Sequence, residues 1–130
     1  MAIKEYVKYD KEGQPWVGVL VSEGYGAGWS TWNSYKGEGE LDLALDHRII
    51  EWLIANATVT TCETPEGPWN IEDIDEAALK EYCNSIGYKD VYCGGADGLY
   101  IDWYKKGTLI RIEEYDGYES VITGNTLTEL

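Results

Sequence analysis

The side chains of this 130-residue chain that could do chemistry are its carboxylates, an aromatic glycine-rich loop, three cysteines and one histidine. Carboxylates gather twice, as Glu72, Asp73, Asp75 and Glu76 and again as Glu113, Glu114, Asp116 and Glu119. A catalytic pair needs one member desolvated, so that its pKa rises toward neutrality. Neither cluster has an apolar surround in the local sequence, and Glu113 and Asp116 flank a turn. Both clusters therefore read as solvated faces, not as a glycosidase-like pair. The alternating oxygen ligands of an EF-hand are missing too.

The loop Gly24-Tyr25-Gly26-Ala27-Gly28-Trp29-Ser30-Thr31-Trp32-Asn33 has glycines at alternate positions, which let the backbone approach other groups closely. It is no phosphate cradle, since no lysine or arginine lies between Lys11 and Lys36 and the G-x-x-x-x-G-K-[ST] pattern is absent. Two readings stand. In one, the glycines let Trp29 and Trp32 tuck against a sheet; in the other, Tyr25, Trp29, Trp32 and Asn33 line an aromatic ligand pocket.

Cys62, Cys83 and Cys93 are odd in number and lack CxxC spacing, so a disulfide framework is not expected. A zinc site would require all three to converge with His47 without paired spacing. Cys93, before Gly94-Gly95, has no base nearby in sequence to make it a nucleophile. Reduced, partly buried thiols in a cytoplasm are the expectation. No cofactor, metal site or enzymatic activity is expected.

Charge excludes more. With 24 acidic and 10 basic residues the formal charge is -14, and the pI is near 4.2. Direct binding to nucleic acid, which relies on basic groups displacing counterions, is disfavoured, as is an anionic membrane surface. A basic protein surface is the natural electrostatic partner. The acids are also segregated: no basic residue lies between Arg48 and Lys80, and only acids follow Arg111. Carboxylates spaced on a rigid body can imitate duplex phosphates and occupy a basic channel.

The elements that would position these groups follow from pattern. Residues 2–9 and 16–22 read as a hairpin turning at Gly13, and the second strand is apolar on both faces, as if inside a sheet covered by helices. Asp46 caps a helix over about 46–57. Asp73 or Asp75 caps a second over about 72–86, with Gly87 as its C′ residue. Residues 58–69 read as a connector. The last third reads as a short strand at 90–93 followed by a meander of strands at 99–104, 108–114 and 118–123, with turns at Lys105-Lys106-Gly107 and Asp116-Gly117. Residues 124–130 read as a frayed tail. The expected fold is α+β in one domain over 1–130, an antiparallel sheet of about five or six strands with two helices packed on one face. With 6 Trp, 11 Tyr and no Phe, buried aromatics will carry N–H and O–H groups that want partners. No signal segment is visible, and the longest apolar run, Trp16 to Val21, is far too short to cross a membrane.

Three segments, Gly24 to Asn33, Gly94-Gly95-Ala96-Asp97-Gly98-Leu99 and Arg111-Ile112-Glu113-Glu114-Tyr115-Asp116-Gly117-Tyr118-Glu119-Ser120, resemble recurring stretches of a family of small uncharacterised proteins of tailed bacteriophages and prophages. The resemblance covers about a fifth of the chain directly and implies a genomic setting rather than an activity. In that setting small acidic proteins often counter host defences. The functional expectation is a non-enzymatic phage or prophage accessory protein in the host cytoplasm. It would inhibit or modulate a host protein with a basic surface, such as a defence or nucleic-acid-binding protein, through Glu72, Asp73, Asp75, Glu76, Glu113, Glu114, Asp116 and Glu119. The alternative is a small-molecule or nucleotide-sequestering protein that uses the Gly/Trp loop.

Overall fold

A computed structural model describes residues 4–24, 28–33, 42–61, 65, 67–124 and 128–130. Strands β1 (Val7–Tyr9), β2 (Pro15–Ser22), β3 (Thr58–Thr60), β4 (Trp69–Glu72) and β5 (Leu99–Lys105) form one antiparallel sheet in the order β1-β2-β5-β4-β3. Strands β6 (Leu109–Tyr115), β7 (Tyr118–Thr123) and β8 (Thr128–Glu129) form a second sheet in the order β7-β6-β8. The helices are α1 (Asp42–Leu45), α2 (His47–Asn56) and α3 (Glu76–Ser85). The fold is α+β, as expected.

Period-two alternation divides the core in two. Leu20 of β2 and Leu99, Ile101 and Trp103 of β5 face one way, where Ile49, Ile50 and Leu53 of α2 and Leu79 and Cys83 of α3 cover them. Val17, Val19 and Val21 face the other way, against Ile110 and Ile112 of the second sheet together with Ala44, Leu45 and Leu130. The layers are therefore helices, five-stranded sheet and outer sheet. Ile49, Ile50 and Leu53 are wholly buried, each worth about 2 kcal/mol of apolar transfer.

Asp46 is the cap expected for α2, and of Asp73 and Asp75 it is Asp75 that caps α3, which begins at Glu76 and not near 72 because Glu72 belongs to β4. Asp46 accepts from the Arg48 N–H at 2.9 Å and starts α2, while Asp75 accepts from the Ala78 N–H at 3.1 Å and starts α3. Gly87 has φ +107° past the end of α3, a left-handed C′ position that suits glycine. Asp116 and Gly117, at φ 49° and 91°, form a two-residue turn of the primed kind, whose twist matches the strands it joins.

Four expectations need correction. The helix-covered strand β2 has helices on one face only, and the outer sheet covers the other. The meander breaks after β5, because β2 and β4 occupy both of its edges and the chain turns at Lys106-Gly107 into a different layer. The connector at 58–69 contains β3 and leads directly into β4, whereas residues 90–93 form no strand. Finally, the chain end is tied down: the Leu130 N–H donates to the Thr108 carbonyl at 2.9 Å, and Leu130 is buried in the second core. Among the described residues no helix is long and apolar enough to cross a membrane.

Candidate functional site

The Gly/Trp loop and the β6–β7 hairpin meet, and carboxylates join them. Register places Glu114 of β6 directly opposite Glu119 of β7, on the face that carries Ile110 and Ile112 inward. Glu119 is wholly buried. One of its oxygens accepts from the Ser22 N–H at 2.9 Å. The other accepts from the Trp29 N–H at 2.8 Å, the Thr31 N–H at 3.1 Å and the Thr31 hydroxyl. The Ser22 donor is available because β1 pairs with β2 only over Pro15–Val17, so that among the described residues no strand lies beside the far end of that edge. Glu114 is exposed and accepts from the Trp32 indole N–H at 2.8 Å and the Gly117 N–H at 2.7 Å. These bonds, the indole's first, hold its carboxyl below the usual glutamate range.

The rest of the loop is occupied by internal bonds. Trp29 is wholly buried and donates its indole N–H to the Leu43 carbonyl at 2.7 Å. The Asn33 amide donates to the Trp29 and Tyr92 carbonyls at 2.9 and 3.1 Å and accepts from the Tyr92 N–H at 2.9 Å. Trp32 stacks on Tyr92 with ring centroids 5.6 Å apart. A Cβ on Gly28 would lie 2.6 Å from the Trp32 ring, and one on Gly98 would lie 2.7 Å from the Gly24 nitrogen. Glycine is thus required at both close approaches. The tucked reading describes Trp29, while Trp32 is half-buried and Asn33 is held by bonds within the fold; Tyr25 lies outside the described residues.

The acidic residues named from sequence do not form one face. Glu72, Asp73, Asp75 and Glu76 are exposed at the β4–α3 junction. There Asp75 serves as a cap, and Asp73 accepts from the Thr58 hydroxyl at 2.9 Å. Glu113, Glu114 and Asp116 are exposed on the outer sheet, with Glu113 paired to Arg111. Glu119 leaves the list, because it is interior and saturated by donors. Parity could have found it: a two-residue turn at Asp116-Gly117 puts Glu119 on the same face as Val121 and Ile112. Tyr92 was also missed, since its role as Trp32's stacking partner is a contact between residues 60 positions apart, 92 against 32, along the chain.

Other chemistry is quiet. Burial pushes the Cys83 and Cys93 thiols up to about 12 and about 11, so both are protonated near neutral pH. His47 pairs with Glu51 beside an open groove of about 550 Å³ that Lys4, Tyr6 and Tyr9 also line. Among the described residues no three His, Cys, Asp or Glu side chains converge on a metal position, and Cys62 lies outside them. A second buried carboxylate, Asp46, accepts from the Arg48 guanidinium at 2.7 and 3.0 Å and from the Tyr88 hydroxyl at 2.8 Å. Burial would raise its pKa, but the Arg48 and Tyr88 bonds outweigh burial and the net displacement is downward.

No protein-family model, curated protein or solved structure matches this chain.

Proposed function

We propose that this protein is a non-enzymatic binding protein that docks on a basic surface of a host protein, in the phage or prophage setting that its sequence segments suggest, inside the bacterial cell. The observation that carries the proposal is the edge where the loop meets the hairpin. Exposed Glu114 accepts from the indole of Trp32, which stacks on Tyr92, and the exposed Glu113, Tyr115 and Asp116 lie next to it at the same end of the hairpin. Carboxylates next to aromatic faces suit lysine and arginine, which gain both Coulomb attraction and cation–π contact. The net charge of -14 adds long-range steering toward a positive partner. The small-molecule alternative is less well supported, because Trp29 and Asn33 already spend their polar groups inside the fold.

Capture from host lysate at low salt tests the reading. The expected result is a basic partner whose binding weakens as salt rises and is lost when Glu113 and Asp116 are reversed to lysine, while reversal of Glu72 and Glu76 leaves it nearly intact. The absence of any partner at low salt, or binding indifferent to both reversals, overturns it.

A further inference from the structure

Bases gather at the end of the molecule opposite the acidic edge. Lys8 on β1, Lys11 in the turn after it, Lys105 at the end of β5 and Lys106 just beyond are four of the chain's 10 basic residues. The Lys106 N–H donates to the Pro15 carbonyl at 3.0 Å, which ties the end of β5 to the start of β2. Register puts Lys8 opposite Trp16 and Trp16 opposite Lys105, so these three side chains stand in one row on one face of the sheet. The Lys8 ammonium lies 5.4 Å from the centre of the Tyr6 ring, and the Lys105 ammonium 5.6 Å from that of Trp16. Covering half-buried aromatics accounts for the lysine stems but not for their charges. Lys106 pairs with Glu5. Among the described residues Lys8, Lys11 and Lys105 form no ion pair, in a chain with 24 acids.

The matching acids are at the far end of β6. That strand starts just past the Lys106-Gly107 turn and ends at Tyr115, which puts the hairpin tip about 20 Å from the lysines at about 3.3 Å per residue. At the tip Asp116 forms no ion pair among the described residues, Glu113 pairs only with the exposed Arg111 of its own strand, and Tyr115 is 77% exposed. β2 spans the same separation, from the Trp16 row to Ser22 beside Glu119. Held so far apart, the two groups cannot meet within one molecule.

We infer that the Lys8–Trp16–Lys105 row is a docking surface for the β6–β7 hairpin tip of a second copy of this chain. Charge complementarity selects this occupant. Glu113 and Asp116 of the tip bring carboxylates to lysines that rest on aromatic faces, and Tyr115 extends the aromatic contact to Trp16. The two surfaces differ, and every copy carries one of each. The net charge of -14 repels copies at long range, but at about 0.1 M salt that repulsion is screened beyond about 10 Å while charges in contact still attract. The contact needs no host protein. It occupies the acidic edge that the proposed function assigns to one, so a host partner and a second copy exclude each other there.

Sedimentation velocity of the purified chain between about 10 μM and about 1 mM tests this. At about 0.1 M salt the average coefficient should rise with concentration, and about 1 M salt should return it to the monomer value. Lys8→Gln with Lys105→Gln, and separately Glu113→Gln with Asp116→Asn, should each weaken association by about tenfold or more. An equimolar mixture of the two double variants restores one native contact, because the first keeps its tip and the second keeps its row. The mixture should therefore associate more tightly than either variant alone. A wild type that stays monomeric, or that associates indifferently to salt or to either double variant, overturns the inference. So does a mixture that associates no better than its components. Host capture is decided separately, because Lys8→Gln with Lys105→Gln removes self-association while keeping the acidic edge that capture requires.

Discussion

Asp46 and Glu119 are both carboxylates with almost no solvent exposure, and they solve the problem of a buried charge in opposite ways. Asp46 caps α2 and lies against the Arg48 guanidinium and the Tyr88 hydroxyl, so a formal cation balances it at the edge of the helix layer. Glu119, between the central and outer sheets, has only N–H and O–H dipoles from β2 and the loop. The first arrangement is local, since Asp46 and Arg48 are two residues apart and Arg48 can turn to water. The second unites positions about 90 residues apart in the chain, as its contacts with Trp29 and Thr31 show, and two of its donor residues, Ser22 and Trp29, are wholly buried. A buried group is costly to lose in proportion to what its partners can do without it.

The comparison can be broken most directly by truncating each carboxylate. Glu119→Ala removes the carboxylate that accepts from Ser22, Trp29 and Thr31, which should cost about 3–4 kcal/mol of unfolding free energy read from urea midpoints. Asp46→Ala should cost about 2 kcal/mol, from a lost cap and a stranded Tyr88 hydroxyl. Equal costs, or the reverse order, would remove the distinction between the two sites.

Acid sharpens it. The Asp46 pKa is depressed in the folded protein. Its contribution to stability is therefore complete above the unfolded value, near 3.9, and is lost as pH falls through the lower folded value. The stability gap between wild type and Asp46→Asn should then be constant at about pH 5 and above, and should narrow below about pH 4. A gap that widens on acidification contradicts the role given to Arg48.

The smallest effects concern the aromatic cores. The Trp69 and Trp103 indole nitrogens are buried with no hydrogen-bond partner among the described residues, and the two rings meet edge-on with centroids 4.8 Å apart. Trp103→Phe thus removes volume but no hydrogen bond, whereas Trp29→Phe also strands the Leu43 carbonyl. Thermal unfolding should show Trp29→Phe to be the more destabilising by about 1 kcal/mol.

How legible these features were depended on the range over which each is decided. The caps at Asp46 and Asp75, the left-handed Gly87 and the Asp116-Gly117 turn were readable because each is settled by a few adjacent residues. The short strands β3 and β4 were hidden, because Thr58–Thr60 and Trp69–Glu72 are too brief to show a period and are extended by their partners. In the candidate site, the hairpin acids Glu113, Glu114 and Asp116 were legible as exposed groups and Trp32 as a member of the aromatic loop. Their meeting through Glu114 was not, since 82 positions separate the indole from its acceptor.

Sequence alone determined the α+β class, the helix ends, the hairpin register and the strong negative charge, all properties of composition or of neighbours along the chain. Tertiary structure decided which side of each strand would be covered. It split the strands into two sheets, drew Leu130 into the core, and turned Glu119 from a surface acid into an interior one. The physical reason is that alternation tells which side chains share a face but not what lies over that face. Only the packing of the outer sheet on β2 provides the donors that let a carboxylate stay there.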